Sequence, residues 1–214
     1  MKSITKRKPL DEVNQILDTF ERVYIVGCGT CATMTKTGGT EEVSAMKKHL
    51  EELGKLITGS IVIPTACDEM TEVAFKENEG AINNANCVLV MACALGVHRL
   101  SLYTDLPIIP ALDTLFIGVE DSPGYFYEVC AQCGQCIIGE MAGICPLTRC
   151  HKGLLNGPCG GTNNGKCEVD KEKDCAWTLI YRRLEEQGRL DLMRKYQPPK
   201  NYQVVPRPRI TRLE

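Results

Sequence analysis

Val23-Tyr24-Ile25-Val26-Gly27-Cys28-Gly29-Thr30-Cys31 is the stretch that decides the fold. Four β-branched, aliphatic or aromatic residues stopped by a glycine read as a short buried strand. After a glycine-broken loop, Thr40 to Leu53 places Val43, Met46, Leu50 and Leu53 on one helical face. Thr40 suits the N-cap of that helix, Glu41 and Glu42 sit where the helix dipole favours anions, and Gly54 suits its stop. The unit then repeats. Ile61-Val62-Ile63 reads as a second strand ended by Pro64, Asp68 to Ala85 as a helix interrupted near Gly80, and Cys87 to Met91 as a third strand. A fourth strand is expected at Pro107 to Pro110 or at Leu115 to Val119. Strands alternating with helices imply a parallel sheet with right-handed crossovers, so residues 1–122 are expected to form an α/β, Rossmann-like open parallel sheet.

Beyond it the texture changes. Residues 123–193 are expected to form a small cysteine-rich, metal-stabilised domain, because Cys130 to Cys175 hold few aliphatic runs and many Gly, Asn and Cys and need a staple other than an apolar core, for which metal is the candidate. Trp177 to Met193 resumes helical spacing through Leu179, Ile180, Leu184, Leu190 and Met193. Residues 194–214 carry prolines and no helical pattern, and are expected to be an extended arm. The 214 residues carry a net charge of −2, which disfavours a general nucleic-acid binder, yet residues 1–129 sum to −7 and residues 130–214 to +5. Thirteen cysteines, an odd number, cannot all pair internally. The N-terminus lacks a secretory apolar region, and the longest apolar run, Cys87 to Val97, is too short to span a bilayer. A cytoplasmic protein is therefore expected, in which cysteines serve as metal ligands or redox groups rather than bridges.

Cys28 and Cys31 follow the first strand, Cys67 the second and Cys93 the third. Parallel strands point the same way, and their carboxyl ends are where such sheets assemble sites. Four thiols are thus expected at one edge, the ligand set of a 4Fe-4S cluster, in preference to tetrahedral zinc or a redox dithiol. Gly27, Gly29, Gly38 and Gly39 are expected to let backbone N–H groups approach the sulfurs. Gly27-x-Gly29-x-x-Ala32 is only a partial dinucleotide fingerprint, with cysteines inside it and no acidic residue ending the second strand. Cys87 begins its strand at the opposite end from Cys93 and reads as a core residue.

The second group is Cys130-x-x-Cys133-x-x-Cys136, then Cys145-Pro146, Cys150, Cys159, Cys167 and Cys175. Three cysteines at this tight spacing, completed by a remote one, suit a second 4Fe-4S cluster, with Cys145 or Cys159 as fourth ligand. The remaining thiols would hold zinc or a third cluster. His49 is expected to face solvent, His98 and His151 to be ordinary loop histidines.

Cys130-Ala131-Gln132-Cys133-Gly134-Gln135-Cys136, Gly143-Ile144-Cys145-Pro146, Leu155-Asn156-Gly157-Pro158-Cys159-Gly160-Gly161, Gly165-Lys166-Cys167-Glu168 and Cys175-Ala176-Trp177 resemble the cysteine-rich C-terminal domain associated with methylenetetrahydrofolate reductases. With the preceding α/β domain, residues 20–185 resemble the small iron–sulfur/zinc subunit of these enzymes in acetogenic bacteria, the MetV type. The resemblance implies two or three 4Fe-4S clusters, with zinc, in a chain that relays electrons to the flavin of a TIM-barrel methylenetetrahydrofolate reductase partner. The arm would then be part of the partner contact, ordered mainly on binding. The competing class is a zinc-stabilised scaffold or nucleic-acid-binding module using Arg182, Arg183, Arg207, Arg209 and Arg212. No nucleophile elbow, His-Glu-x-x-His or phosphate loop is present, so no catalytic residue is expected on this chain itself.

Overall fold

The computed structural model describes residues 2–209. The chain separates into two compact units, residues 1–126 and 127–214.

In the first unit, β2 (Arg22–Cys28), β3 (Leu56–Ile63), β4 (Cys87–Met91) and β5 (Ile108–Pro110) form an all-parallel sheet in the order β3-β2-β4-β5. Strand residues alternate between two cores, as the period of a strand requires. Tyr24, Val26, Val88 and Val90 pack toward Phe75 and Ile82, on the face covered by α4 (Met70–Glu77), α5 (Glu79–Asn83) and α6 (Ala94–Leu100). Val23, Ile25, Cys87, Leu89 and Met91 pack toward Val13, Leu17, Val43, Met46 and Leu50, on the face covered by α1 (Leu10–Leu17) and α3 (Thr40–Glu52). Burial on both faces explains the near-continuous apolar runs in β2 and β4. The fourth parallel strand is the 108–110 segment. Leu115 to Val119 instead lies within β6 (Leu112–Ser122), the centre of an antiparallel sheet β1-β6-β7 with β1 (Lys2–Arg7) and β7 (Tyr125–Glu128). Sequence periodicity did not reveal this second sheet, because β1 is a polar strand, Lys2-Ser3-Ile4-Thr5-Lys6-Arg7, that packs Ser3 and Thr5 inward.

Local chemistry adjusts three expected boundaries. Gly39, not Thr40, precedes the first turn of α3, and the Glu42 carboxylate accepts from the Gly39 N–H at 2.9 Å. The 68–85 helix breaks at Asn78, whose side-chain amide donates to the Ala74 carbonyl at 2.9 Å and competes with helical continuation. His49 does not simply face solvent, since its Nε2 lies 3.1 Å from Asn14 Oδ1 on α1.

The second unit contains little regular structure: α7 (Pro146–Arg149), α8 (Ala176–Glu186) and single 3-10 turns at Leu190–Arg194 and Tyr202–Val204. Its core gathers Met141, Ala142, Cys175, Trp177, Ile180 and Leu184, and the indole Nε1 of Trp177 donates to the Leu154 carbonyl at 3.1 Å. The expected 177–193 helix stops at Glu186. Gly188, at φ +65°, takes the left-handed conformation and the Arg189 N–H turns back to the Leu184 carbonyl at 2.8 Å, a glycine helix stop. The segment after residue 194 is irregular, but it is anchored without any partner: Gln197 is buried and exchanges hydrogen bonds with Asn156. Residues 210–214, with Arg212, lie outside the described residues.

Candidate cysteine sites at the sheet edge and in the second unit

The crossover from β2 through α3 leads to β3 on one side, and the next crossover leads from β3 over to β4 on the other. The carboxyl ends of β2 and β4 are therefore a topological switch point, where opposite crossovers leave a crevice. Cys28 is the last residue of β2, Cys31 opens the one-turn helix α2 (Cys31–Met34), Cys67 follows β3 and Cys93 precedes α6. The Cys67 thiol pKa is raised, first by burial and then by the nearby Cys93, Cys28 and Cys31 thiolates, with Asp68 adding a smaller push. Cys67 itself is exposed, whereas Cys28 and Cys93 are buried, and all four residues lie at or just beyond the carboxyl ends of neighbouring parallel strands.

Gly38 and Gly27 make the edge tight. A Cβ on Gly38 would overlap the Met91 carbonyl oxygen, and one on Gly27 would lie 2.5 Å from the Gly38 carbonyl oxygen. The expected role of these glycines is thereby corrected. The N–H of Cys28 goes to the Gly38 carbonyl at 2.9 Å and that of Gly29 to the Ile63 carbonyl at 2.8 Å, so the glycines serve close packing rather than N–H donation to sulfur. The group that does reach a sulfur is the Thr30 hydroxyl, 3.3 Å from Cys28 Sγ. Sequence reasoning passed over three further residues, Thr5, Thr35 and Thr37. Thr5 Oγ1 on β1 lies 3.0 Å from Thr35 Oγ1 and 2.7 Å from Thr37 Oγ1, and Thr35 donates to the Cys31 carbonyl at 3.0 Å. A triangle of hydroxyls thus ties the Cys31 loop to the antiparallel sheet. A dinucleotide reading fails on geometry, because the glycine loop leads into a single helical turn instead of a long phosphate-binding helix.

Cys87 lies apart from this edge, fully buried at the other end of β4, and burial pushes its thiol up to about 11.

In the second unit, Gln132 and Gly134 adopt positive φ, 54° and 74°, and the Gln132 N–H donates to Cys130 Sγ at 3.3 Å. The left-handed turn thus aims one backbone amide at a sulfur. Cys145 precedes α7, with Pro146 at the first helical position where its missing N–H costs nothing. Cys150, Cys159, Cys167 and Cys175 line one small cavity of about 20 Å³, together with His151 and Trp177. Cys159 therefore sits with the later thiols. Cys175 precedes α8; burial opposes its ionisation, but the Thr178 N–H and hydroxyl, the Thr162 hydroxyl and the Trp177 N–H outweigh it and hold the thiol below its ordinary range. Arg183, considered for a basic surface, instead donates to the Ala142 carbonyl at 3.4 Å.

All thirteen cysteines are free thiols. Among the described residues no three His, Cys, Asp or Glu side chains close to the spacing of a single metal ion. No described helix is long and apolar enough to cross a membrane. No curated protein and no solved structure matches the chain. Residues 109–203, which hold all eight cysteines from Cys130 to Cys175 and none of the first five, match a family model described as the methylene-tetrahydrofolate reductase C terminal, so this part of the chain is similar to a domain of that enzyme family.

Proposed function

We propose that this chain is the iron–sulfur electron-transfer subunit of a methylenetetrahydrofolate reductase, serving a flavin held by a separate TIM-barrel subunit. The observation that carries the reading is the position of Cys28, Cys31, Cys67 and Cys93 at the switch-point edge of the parallel sheet. Four soft thiol donors suit iron–sulfur or zinc chemistry, and the close-packed Gly27 and Gly38 backbone brings their loops together. The similarity of residues 109–203 to the methylene-tetrahydrofolate reductase C terminal supports placing the eight-cysteine segment in folate reduction.

In this reading Cys28, Cys31, Cys67 and Cys93 hold one 4Fe-4S cluster. Cys130, Cys133 and Cys136 hold a second with Cys145, since Cys159 lines the cavity of the later thiols. Cys150, Cys159, Cys167 and Cys175 form a third site, for zinc or another cluster. Bound 4Fe-4S clusters supply one-electron couples whose potentials follow the charge and hydrogen bonds at the sulfurs. The chain's own residues place those sulfurs: Thr30 directs its hydroxyl at Cys28, Gln132 its N–H at Cys130, and Thr178 stabilises the Cys175 thiolate. A two-electron folate reduction then requires a flavin elsewhere, which accepts single electrons and delivers a hydride.

The test is anaerobic purification with metal analysis. About eight irons and one zinc per chain are expected, or about twelve irons if the third site is a cluster. Colourless, iron-free protein carrying only zinc would overturn the electron-transfer reading in favour of a zinc-stabilised scaffold.

A further inference from the structure

Residues 194–209 contain five cations, Arg194, Lys195, Lys200, Arg207 and Arg209, and no carboxylate. Such a segment lacks the composition to form a core of its own, yet it runs along a defined track on the second unit. Lys195 pairs with Glu140 at 2.5 Å, and the Gln197 side-chain amide donates to the same carboxylate at 2.5 Å. The Gln197 N–H donates to Asn156 Oδ1 at 2.7 Å, and Asn156 returns a bond to the Gln197 carbonyl at 2.8 Å. This reciprocal pair, with Gln197 only 5% exposed, is a fixed anchor.

Past the anchor, the chain reaches the Cys130–Cys136 turn. Lys200 Nζ donates to the Gln135 carbonyl, and the Asn201 N–H donates to Gln135 Oε1 at 2.9 Å. Gly134 is exposed, but two strap side chains fill the space beside its α-carbon. A Cβ there would lie 2.6 Å from Val205 Cγ1 and 3.2 Å from Val204 Cγ1. Two polar contacts thus hold the residue before Cys136, and two valines press on the glycine after Cys133.

We propose that residues 197–205 are a positioning strap, which holds the exposed Cys130–Cys136 turn in its left-handed conformation. The proposal rests on the reading of that turn as a metal-ligand loop. Its physical logic is local. Gln132 holds a left-handed conformation that is costly for a residue with a Cβ, and Gly134, which adopts its positive φ freely, loses more conformational freedom on ordering than any other residue type would. The strap supplies a supporting surface, with hydrogen bonds to the backbone and side chain of Gln135 and apolar side chains beside Gly134. Its one cation, Lys200, is held against the same turn at the Gln135 carbonyl. The arm is therefore part of the second unit's own cysteine loop before any partner arrives.

Two altered chains test this: one ending at Pro198, which keeps the Gln197 anchor, and a full-length V204S/V205S variant. Both are purified anaerobically beside the unaltered chain, and iron release to a ferrous chelator is followed. Iron lost in Cys67→Ser identifies the phase belonging to the first unit, which serves as an internal reference. Expected are an unchanged reference phase and an at least tenfold faster second phase in both altered chains, together with faster amide exchange at residues 131–136. Unchanged release and unchanged exchange in the chain ending at Pro198 would overturn the strap. Failure of the metal reading is separately visible. If Cys133→Ser loses no iron, the turn is not a ligand loop, and amide exchange at 131–136 alone decides whether the strap holds it.

Discussion

Among the described residues, the Thr30 hydroxyl is the side-chain group that reaches a sulfur at the switch-point edge, and a hydrogen bond to sulfur would stabilise the more negative, reduced form of the proposed cluster. Thr30→Val keeps the shape and removes the donor. With one such bond worth ~1 kcal/mol, the first unit's reduction potential is expected to fall by about 40 mV for a one-electron couple, at unchanged iron content, as read by a redox titration followed by EPR. Cys87 presents the opposite case, a thiol kept protonated by burial. Its folded pKa, about 11, exceeds the unfolded value, so the folded state retains a proton that the unfolded state loses. Stability from this group is fully present below about pH 9 and is lost as pH rises toward 11, by about 2–3 kcal/mol. Urea unfolding at pH 8 and 10.5 should show this slope in the unaltered chain and a flatter one in Cys87→Ala. An equal slope in the variant would assign the pH dependence elsewhere.

Helix α1 ends on a lysine from another element. Lys55 Nζ, in the turn before β3, donates to the Leu17 carbonyl at 2.8 Å, which also accepts from the Phe20 N–H, and to the Phe20 carbonyl just beyond the helix at 2.9 Å. Lys55→Met keeps the aliphatic stem and removes these bonds, and chemical denaturation should register a loss of about 1–2 kcal/mol. The loop between α2 and α3 is limited by sterics rather than hydrogen bonding. Gly38 abuts the Met91 carbonyl of β4, so Gly38→Ala must push the loop away from the sheet, at a cost of about 3 kcal/mol or more. A Gly38→Ala protein of unaltered stability would show that the loop can retreat freely from β4.

The two units differ in what holds them. The first has a doubly covered sheet with aliphatic side chains on both faces, whereas the second buries few apolar residues around Trp177. In the proposed reading metal supplies the deficit, since ligands must be ordered to bind it and binding free energy becomes folding free energy. Chelation under reducing conditions should therefore collapse amide-exchange protection across residues 130–175 and leave β2 and β4 protected. Equal loss in both units, or loss in neither, would contradict that division of labour. The chain alone should reduce no methylenetetrahydrofolate in an assay with a chemical reductant, because its proposed chemistry moves single electrons.

Periodicity made the parallel sheet legible, because strands buried on both faces spell themselves as Val23 to Val26 and Cys87 to Met91. Once those strands are parallel, Cys28, Cys67 and Cys93 fall at the same edge by counting, so that edge too was readable in one dimension. The antiparallel sheet was not, since β1 is polar and is recognised only through its pairing with β6. Likewise, the spacing of the later cysteines left Cys159 between two groups, and only the cavity shared with Cys150, Cys167 and Cys175 associates it with them. Irregular segments held by single contacts carry no periodic signal. The track of residues 197–205 over Gly134 was therefore decided by tertiary structure alone, through a buried glutamine and two valines whose partners lie more than forty residues away in the chain.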